Sequence, residues 1–253
     1  MLSIKDVFCG YDDVDVIHGI SFDVSSGENL CIAGPNGCGK TTILRAIAGL
    51  LPYKGQIKFE NNEISSLKRA KIARNIALMT QITSVYFSYS IFETVMLGRY
   101  LHINGGAFAS PSKEDKEYVM QCLKDVGLAD IKNRQITSLS GGQLQRVFLA
   151  RTFAQDPSMI LLDEPTNHLD LKYQIELVER LREWSAQKNR AIIGVLHDLN
   201  LTLHFADKVL LLKDGKTAAF GNASDVLEGG LLKEVYGIDV KEYMLGSLKK
   251  WEV

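Results

Sequence analysis

The residues Gly34-Pro35-Asn36-Gly37-Cys38-Gly39-Lys40-Thr41-Thr42 follow the pattern GxxxxGK[ST], and the chemistry this pattern serves is the cradling of phosphates. Its glycines let successive backbone N–H groups turn toward a polyanion with no side chain in the way, and a helix N-terminus adds partial positive charge. By residue type, Lys40 reaches the β- and γ-phosphates and the Thr41 hydroxyl ligates Mg²⁺. A second group, Met159-Ile160-Leu161-Leu162-Asp163-Glu164, brings two carboxylates to the end of an apolar strand. There Asp163 is expected to hold Mg²⁺ through water, and Glu164 to orient or deprotonate an attacking water. A third, Ser140-Gly141-Gly142-Gln143, opens an amphipathic helix with small residues that offer N–H groups and a hydroxyl to an anion. A single nucleotide has no use for two cradles in one subunit, so the second is expected to serve a nucleotide held by another copy.

These groups need elements to position them. Asn29 to Ala33 reads as a buried strand, and Thr41 to Leu51 carries helical apolar spacing at Ile43, Leu44, Ile47 and Leu50. Before them, Leu2 to Phe8 and Gly19 to Val24 alternate as strands. After them, Gly55 to Phe59 and Glu63-Ile64 flank a hairpin turn at Asn61-Asn62, which suggests a small antiparallel sheet. From about 84 to 156 the character is helical, with a capping box at Ser112-Lys113-Glu114-Asp115 and Gly127 stopping the helix. Alternation then returns: strand 159–162, helix 171–187, strand 191–196, and a hairpin turning at Asp214-Gly215. The expected fold class is α/β: a phosphate-loop ATPase core with a parallel sheet, a small antiparallel β subdomain and an inserted helical subdomain. Its expected limits are one domain over 1–253, core about 1–83 and 157–253, helical subdomain about 84–156.

The chain has 253 residues, 46% of them hydrophobic, and a net charge of −1, which argues against a nucleic-acid partner. No apolar run approaches the about 18 to 20 residues of a bilayer crossing, and MLSIKDVF lacks the regions of a signal peptide. The expectation is a cytoplasmic protein. Four cysteines without a CxxC pair indicate neither a zinc site nor a disulfide framework. Cys38, inside the loop beside Lys40 and a helix N-terminus, is expected to favour thiolate and to react with a maleimide unless MgATP protects it.

In this order GPNGCGKTT, LSGGQ and MILLDE resemble the motor subunits of ATP-binding cassette (ABC) transporters over Met1 to about Gly237, and LSGGQ separates that family from other phosphate-loop ATPases. The resemblance implies further roles. Tyr11 is similar to the aromatic that stacks on adenine, and Gln81 to the glutamine that touches Mg²⁺ and water and senses the membrane partner. Asn167-His168-Leu169-Asp170 resembles the loop crossing the dimer interface, and His197 the switch histidine on the γ-phosphate. It also implies an ATP-dependent head-to-tail homodimer that sandwiches two ATP molecules between one subunit's phosphate loop and the other's Ser140 to Gln143. Closure and opening would be the power stroke.

The stretch Tyr86-Phe87-Ser88-Tyr89-Ser90 with Ile91 to Tyr100, and Leu196-His197-Asp198-Leu199-Asn200-Leu201, resembles importers of iron chelates (siderophores, haem) and vitamin B12. What that implies is two membrane permease subunits, an external substrate-binding protein met only indirectly, and a peripheral place on the cytoplasmic face of the membrane. Tyr86, Phe87 and Tyr89 are expected to floor a groove for a permease helix. The chain ends soon after Val240, which leaves no room expected for a regulatory domain. The alternatives are a zinc/manganese importer or exporter motor with the same chemistry, and a soluble cassette ATPase of DNA repair or translation. The latter usually carries tandem cassettes, coiled-coil arms or cysteine-rich inserts, and the sequence has none of these.

Overall fold

The computed structural model describes residues 1–12, 14–80, 88–103, 110–167, 169–187, 189–228 and 230–251. Strands β1 (Leu2–Tyr11) and β2 (Val14–Val24) pair antiparallel and run longer than their alternation suggested. Register shifts in β1, one of them spanning Asp6 with φ 48°, interrupt the alternation that the sequence reading relied on. After β3 (Asn29–Ala33) and helix α1 (Lys40–Ile47), β4 (Tyr53–Phe59) and β5 (Asn62–Glu63) complete a sheet of order β2-β1-β4-β5.

Two local expectations shift. Helix α1 stops at Ile47 rather than Leu51, since Gly49 takes a left-handed φ of 68° that ends the helix. The hairpin turn is Glu60-Asn61, one residue earlier than read. Lys58 pairs with Glu63 and Phe59 with Asn62, so the two left-handed residues (φ 48° and 64°) fall between them.

The second sheet adds β6 (Ile76–Met79), β7 (Met159–Asp163), β8 (Ala191–Val195), β9 (Lys208–Lys213) and β10 (Lys216–Asn222), in the order β10-β9-β3-β8-β7-β6. All neighbours are parallel except β10 with β9. Every residue of β3, β7 and β8 is buried, as expected of strands covered on both faces. Successive side chains point to opposite faces, which sorts them into two cores. Met159, Leu161 and Ile193 join α1 and the antiparallel sheet, whereas Ile160, Leu162 and Ile192 join the helices on the other side.

Helix α2 (Arg69–Asn75) buries Ile72 in the core shared with α1, and the helices on the other side are α3 (Ile91–Met96), α4 (Lys113–Asp125), α5 (Gly141–Ala154), α6 (Leu171–Ser185) and α7 (Leu199–Phe205). Helices α3, α4 and α5 pack on one another, and each opens with a capping box: Ser90 with Glu93, Ser112 with Asp115, Ser140 with Gln143. Helices α8 (Ala223–Glu228), α9 (Leu231–Tyr236) and α10 (Val240–Leu248) follow β10. No helix among the described residues is long and apolar enough to cross a membrane.

Candidate functional site

The loop from β3 to α1 is shaped by glycines at left-handed φ: Gly34 at 145°, Gly37 at 80° and Gly39 at 103°. A Cβ at Gly34 would lie 2.3 Å from the Leu212 carbonyl oxygen, so backbone crowding requires glycine there. At Gly37 a Cβ would meet nothing within 4 Å, which leaves that side of the loop clear for a phosphate. Lys40 is buried, and its ammonium donates to the carbonyls of Gly34 (2.8 Å) and Pro35 (2.9 Å), so the loop's own backbone holds the charge at its rim. Pro35, Asn36 and Thr42 take their places in the same turn and first helical residues, with Thr42 buried beneath it.

Strand β7 delivers Asp163 beside this loop, where the Thr41 hydroxyl donates to Asp163 Oδ1 at 3.0 Å. Burial pushes the Asp163 carboxyl up; the Thr41 bond and the Lys40 and Arg45 cations oppose this, and the Glu164 carboxylate adds to it. A hydroxyl and a buried carboxylate in contact beside a phosphate cradle form an oxygen-rich pair of the kind that suits Mg²⁺. Glu164 itself has φ 56°, a left-handed conformation uncommon for a side-chain-bearing residue. Its N–H donates to the Val195 carbonyl at 3.1 Å, which ties it to β8. Its Oε1 lies 2.6 Å from His197 Nε2, and its Oε2 accepts from Asn167 Nδ2 at 2.6 Å.

Tyr11, half-exposed at the end of β1, receives a hydrogen bond on its hydroxyl from Arg45 of α1 at 3.1 Å. Ser140 is the N-cap of α5: its side chain accepts from Gln143 N at 3.3 Å, and Gln143 Oε1 accepts from Ser140 N at 3.2 Å. Gly141 and Gly142 form the first turn between them. Asp170 caps α6 by accepting from Tyr173 N at 3.1 Å. Gln81, Tyr86, Phe87 and His168 lie outside the described residues, while Tyr89 is exposed.

The structure thus gathers Lys40, Thr41, Asp163, Glu164 and His197 at the ends of β3, β7 and β8, and puts Ser140 to Gln143 on a different element, the start of α5. It overturns one expectation. Cys38 does not face a phosphate: its side chain turns inward and is only 5% exposed. Burial pushes its thiol up despite the pull of Lys40, so the loop does not favour thiolate. What Cys38 can offer a ligand is backbone. Sequence reasoning gave no part to Arg45 or Gln145, and none of its own to Asn167. Their type and local spacing are those of ordinary helix and loop residues, and only their contacts distinguish them.

Residues 17–167 match the ABC transporter family. The petrobactin import ATP-binding protein of Bacillus anthracis is 35% identical over 239 residues, covering 94% of this chain and 87% of its own. The ferric enterobactin transport ATP-binding protein of Escherichia coli is 34% identical over 230 residues, covering 90% and 84%. Among solved structures, an inward-facing metal-chelate type ABC transporter superposes with a TM-score of 0.80 at 31% identity, covering 94% of this chain and 89% of that one. A cassette solved as a dimer in a post-hydrolysis state with ADP and Pi has a TM-score of 0.78 at 26% identity, covering 88% and 99%. On the family match and on the identity and coverage of these relatives, the chain belongs to the ABC transporter family as one of its ATP-binding, ATP-hydrolysing subunits.

Proposed function

We propose that the protein is the ATPase of a membrane importer for iron chelates, siderophore or haem, or for vitamin B12. The observation that carries the chemistry is the convergence of the Lys40 ammonium, the Thr41–Asp163 contact and the His197–Glu164 pair beside one glycine-shaped loop. For the cargo, support comes from relatives whose names specify petrobactin and ferric enterobactin.

In this reading Lys40 exchanges the Gly34 and Pro35 carbonyls for phosphate oxygens, while Tyr11, braced by Arg45, stacks on the adenine. Thr41 and Asp163, with Gln81, would hold Mg²⁺, which when bound would supply positive charge to the phosphate oxygens. Glu164 accepts the proton of the attacking water, and His197 moves its Nε2 from Glu164 toward the γ-phosphate. Ser140 to Gln143 read the ATP of a second copy, with Asp170 at the interface between the two. The helical segment 84–156 acts as a subdomain that meets two permease subunits at the cytoplasmic face of the membrane, through the aromatic run ending at Tyr89. An external substrate-binding protein hands the cargo to the permease. A zinc/manganese importer or an exporter would use the same site with another cargo.

The test pairs two measurements. Glu164→Gln should bind MgATP, lose nearly all turnover and accumulate as a dimer on sizing when ATP is present. Near wild-type hydrolysis would remove Glu164 from its role. Reconstitution with a cognate permease and binding protein, scored for uptake of ferric siderophore, haem, B12 or zinc, decides the cargo.

A further inference from the structure

The turn that presents Glu164 is held from two sides. On the N–H side the Val195 carbonyl of β8 accepts from Glu164. On the carbonyl side a residue of the helical segment reaches in: Gln145 Nε2 donates to the Pro165 carbonyl and lies 3.5 Å from the Glu164 carbonyl. Gln145 is 8% exposed, an unusual site for an amide unless its hydrogen bonds matter to the groups around it. A left-handed φ costs an L-residue roughly 1–2 kcal/mol and persists where the surroundings over-determine it. Glu164 is such a case, and Gln145 is one of the groups that over-determine it.

The neighbours of Gln145 make this contact a specific tie rather than bulk packing. Next to it a cleft of about 470 Å³ lies between α5 and α6, lined by Gln145, Arg146, Pro165 and Tyr173 among others. Arg146 lies over the Tyr173 ring at 4.2 Å and donates to the Val126 carbonyl at 3.2 Å, which sets the rotation of α5 about this point. Gln145 also stands two residues after Gln143, within the first turns of the helix that Ser140 caps. A helix turn is stiff, so a shift at Ser140 to Gln143 moves the amide on Pro165.

We propose that Gln145 is a positioning residue for Glu164, through which the start of α5 sets the aim of the carboxylate. The proposal rests on Glu164 as the group that takes the proton of water. In this role Gln145 acts through the backbone of 164 and 165.

Gln145→Leu keeps the volume and removes the donor. It should lower kcat for MgATP on the order of tenfold to a hundredfold, the effect of a misplaced reacting group, with KM changed less than about twofold. In a double-mutant cycle with Glu164→Gln, scored by single-turnover hydrolysis, it should add no further loss, because its effect passes through that carboxylate. If Gln145→Leu does not fold, Gln145→Glu, which sets an acceptor against the same carbonyls, carries the same cycle. A normal kcat, or a loss that multiplies fully with that of Glu164→Gln, overturns the proposal and leaves the role of Glu164 standing. Retained turnover in Glu164→Gln alone overturns both.

Discussion

His197 Nε2 stands 2.6 Å from Glu164 Oε1, and the two residues reach that distance from adjacent parallel strands, one following β7 and the other β8, paired at Asp163 and Val195. Asn167 occupies the other carboxylate oxygen. The Glu164 carboxylate is thus aimed by donors from two loops rather than left to rotate in solvent, an arrangement that suits the proposed role of a carboxylate needing one orientation toward water. His197→Ala should therefore lower kcat on the order of 10²-fold or more while MgATP affinity stays nearly constant. Phosphate release and nucleotide titration check this. A raised KM with intact kcat would reassign His197 to binding.

Asp163 carries a cost when no cation is supplied. Its folded-state pKa is raised by burial above the unfolded value, so the stability tied to its protonated form is full below the ordinary carboxylate pKa, about 3.9, and is lost as pH rises through the folded value. Asp163→Asn removes the charge and keeps an oxygen for the Thr41 hydroxyl. In nucleotide-free solution at neutral pH it should melt roughly 2–4 °C higher, the shift that about 1 kcal/mol gives a chain of this size, while losing ATPase activity. The gain should shrink toward acid. A lower melting temperature at neutral pH would contradict this account of the site.

All four cysteines are buried, and burial raises the thiols of Cys9 and Cys31 to about 11 and of Cys122 to about 12, with Cys38 also raised. Native protein at neutral pH should react slowly with a maleimide at every cysteine, with MgATP making little difference, and quickly once unfolded. Mass spectrometry of labelled peptides reads this directly. Fast labelling of Cys38 blocked by MgATP would restore the reactive-loop expectation.

Gly34 and Gly37 both take left-handed φ but differ in surroundings: a Cβ at 34 would strike the Leu212 carbonyl at 2.3 Å and Cys38 Sγ at 2.8 Å, and one at 37 would meet open space. Gly34→Ala should destabilise the protein by well over the roughly 1–2 kcal/mol that φ alone costs, and Gly37→Ala by about that cost. Both should weaken ATP binding. Urea denaturation with ATP titration separates the two effects, and equal stability losses would refute the distinction.

Much of this protein was legible without coordinates because the signals are local. A glycine run after an apolar strand, the capping box at Ser112, the Asp214-Gly215 turn and the carboxylates closing MILLDE all act through neighbours within a few residues, so type and spacing determine them. Where local chemistry was ambiguous the reading slipped by a residue or by a turn, as at Glu60-Asn61 and at the end of α1. What tertiary structure alone decided is which distant residues meet. Strand order brings His197 to Glu164, the packing of α5 brings Gln145 to Pro165, and the proximity of β1 to α1 brings Arg45 to Tyr11. It also turned Cys38 inward: a side chain in a loop can face ligand or core, and the hydrophobic contacts waiting beneath this loop, at Ile17, Leu212 and their neighbours, lie far from it along the chain.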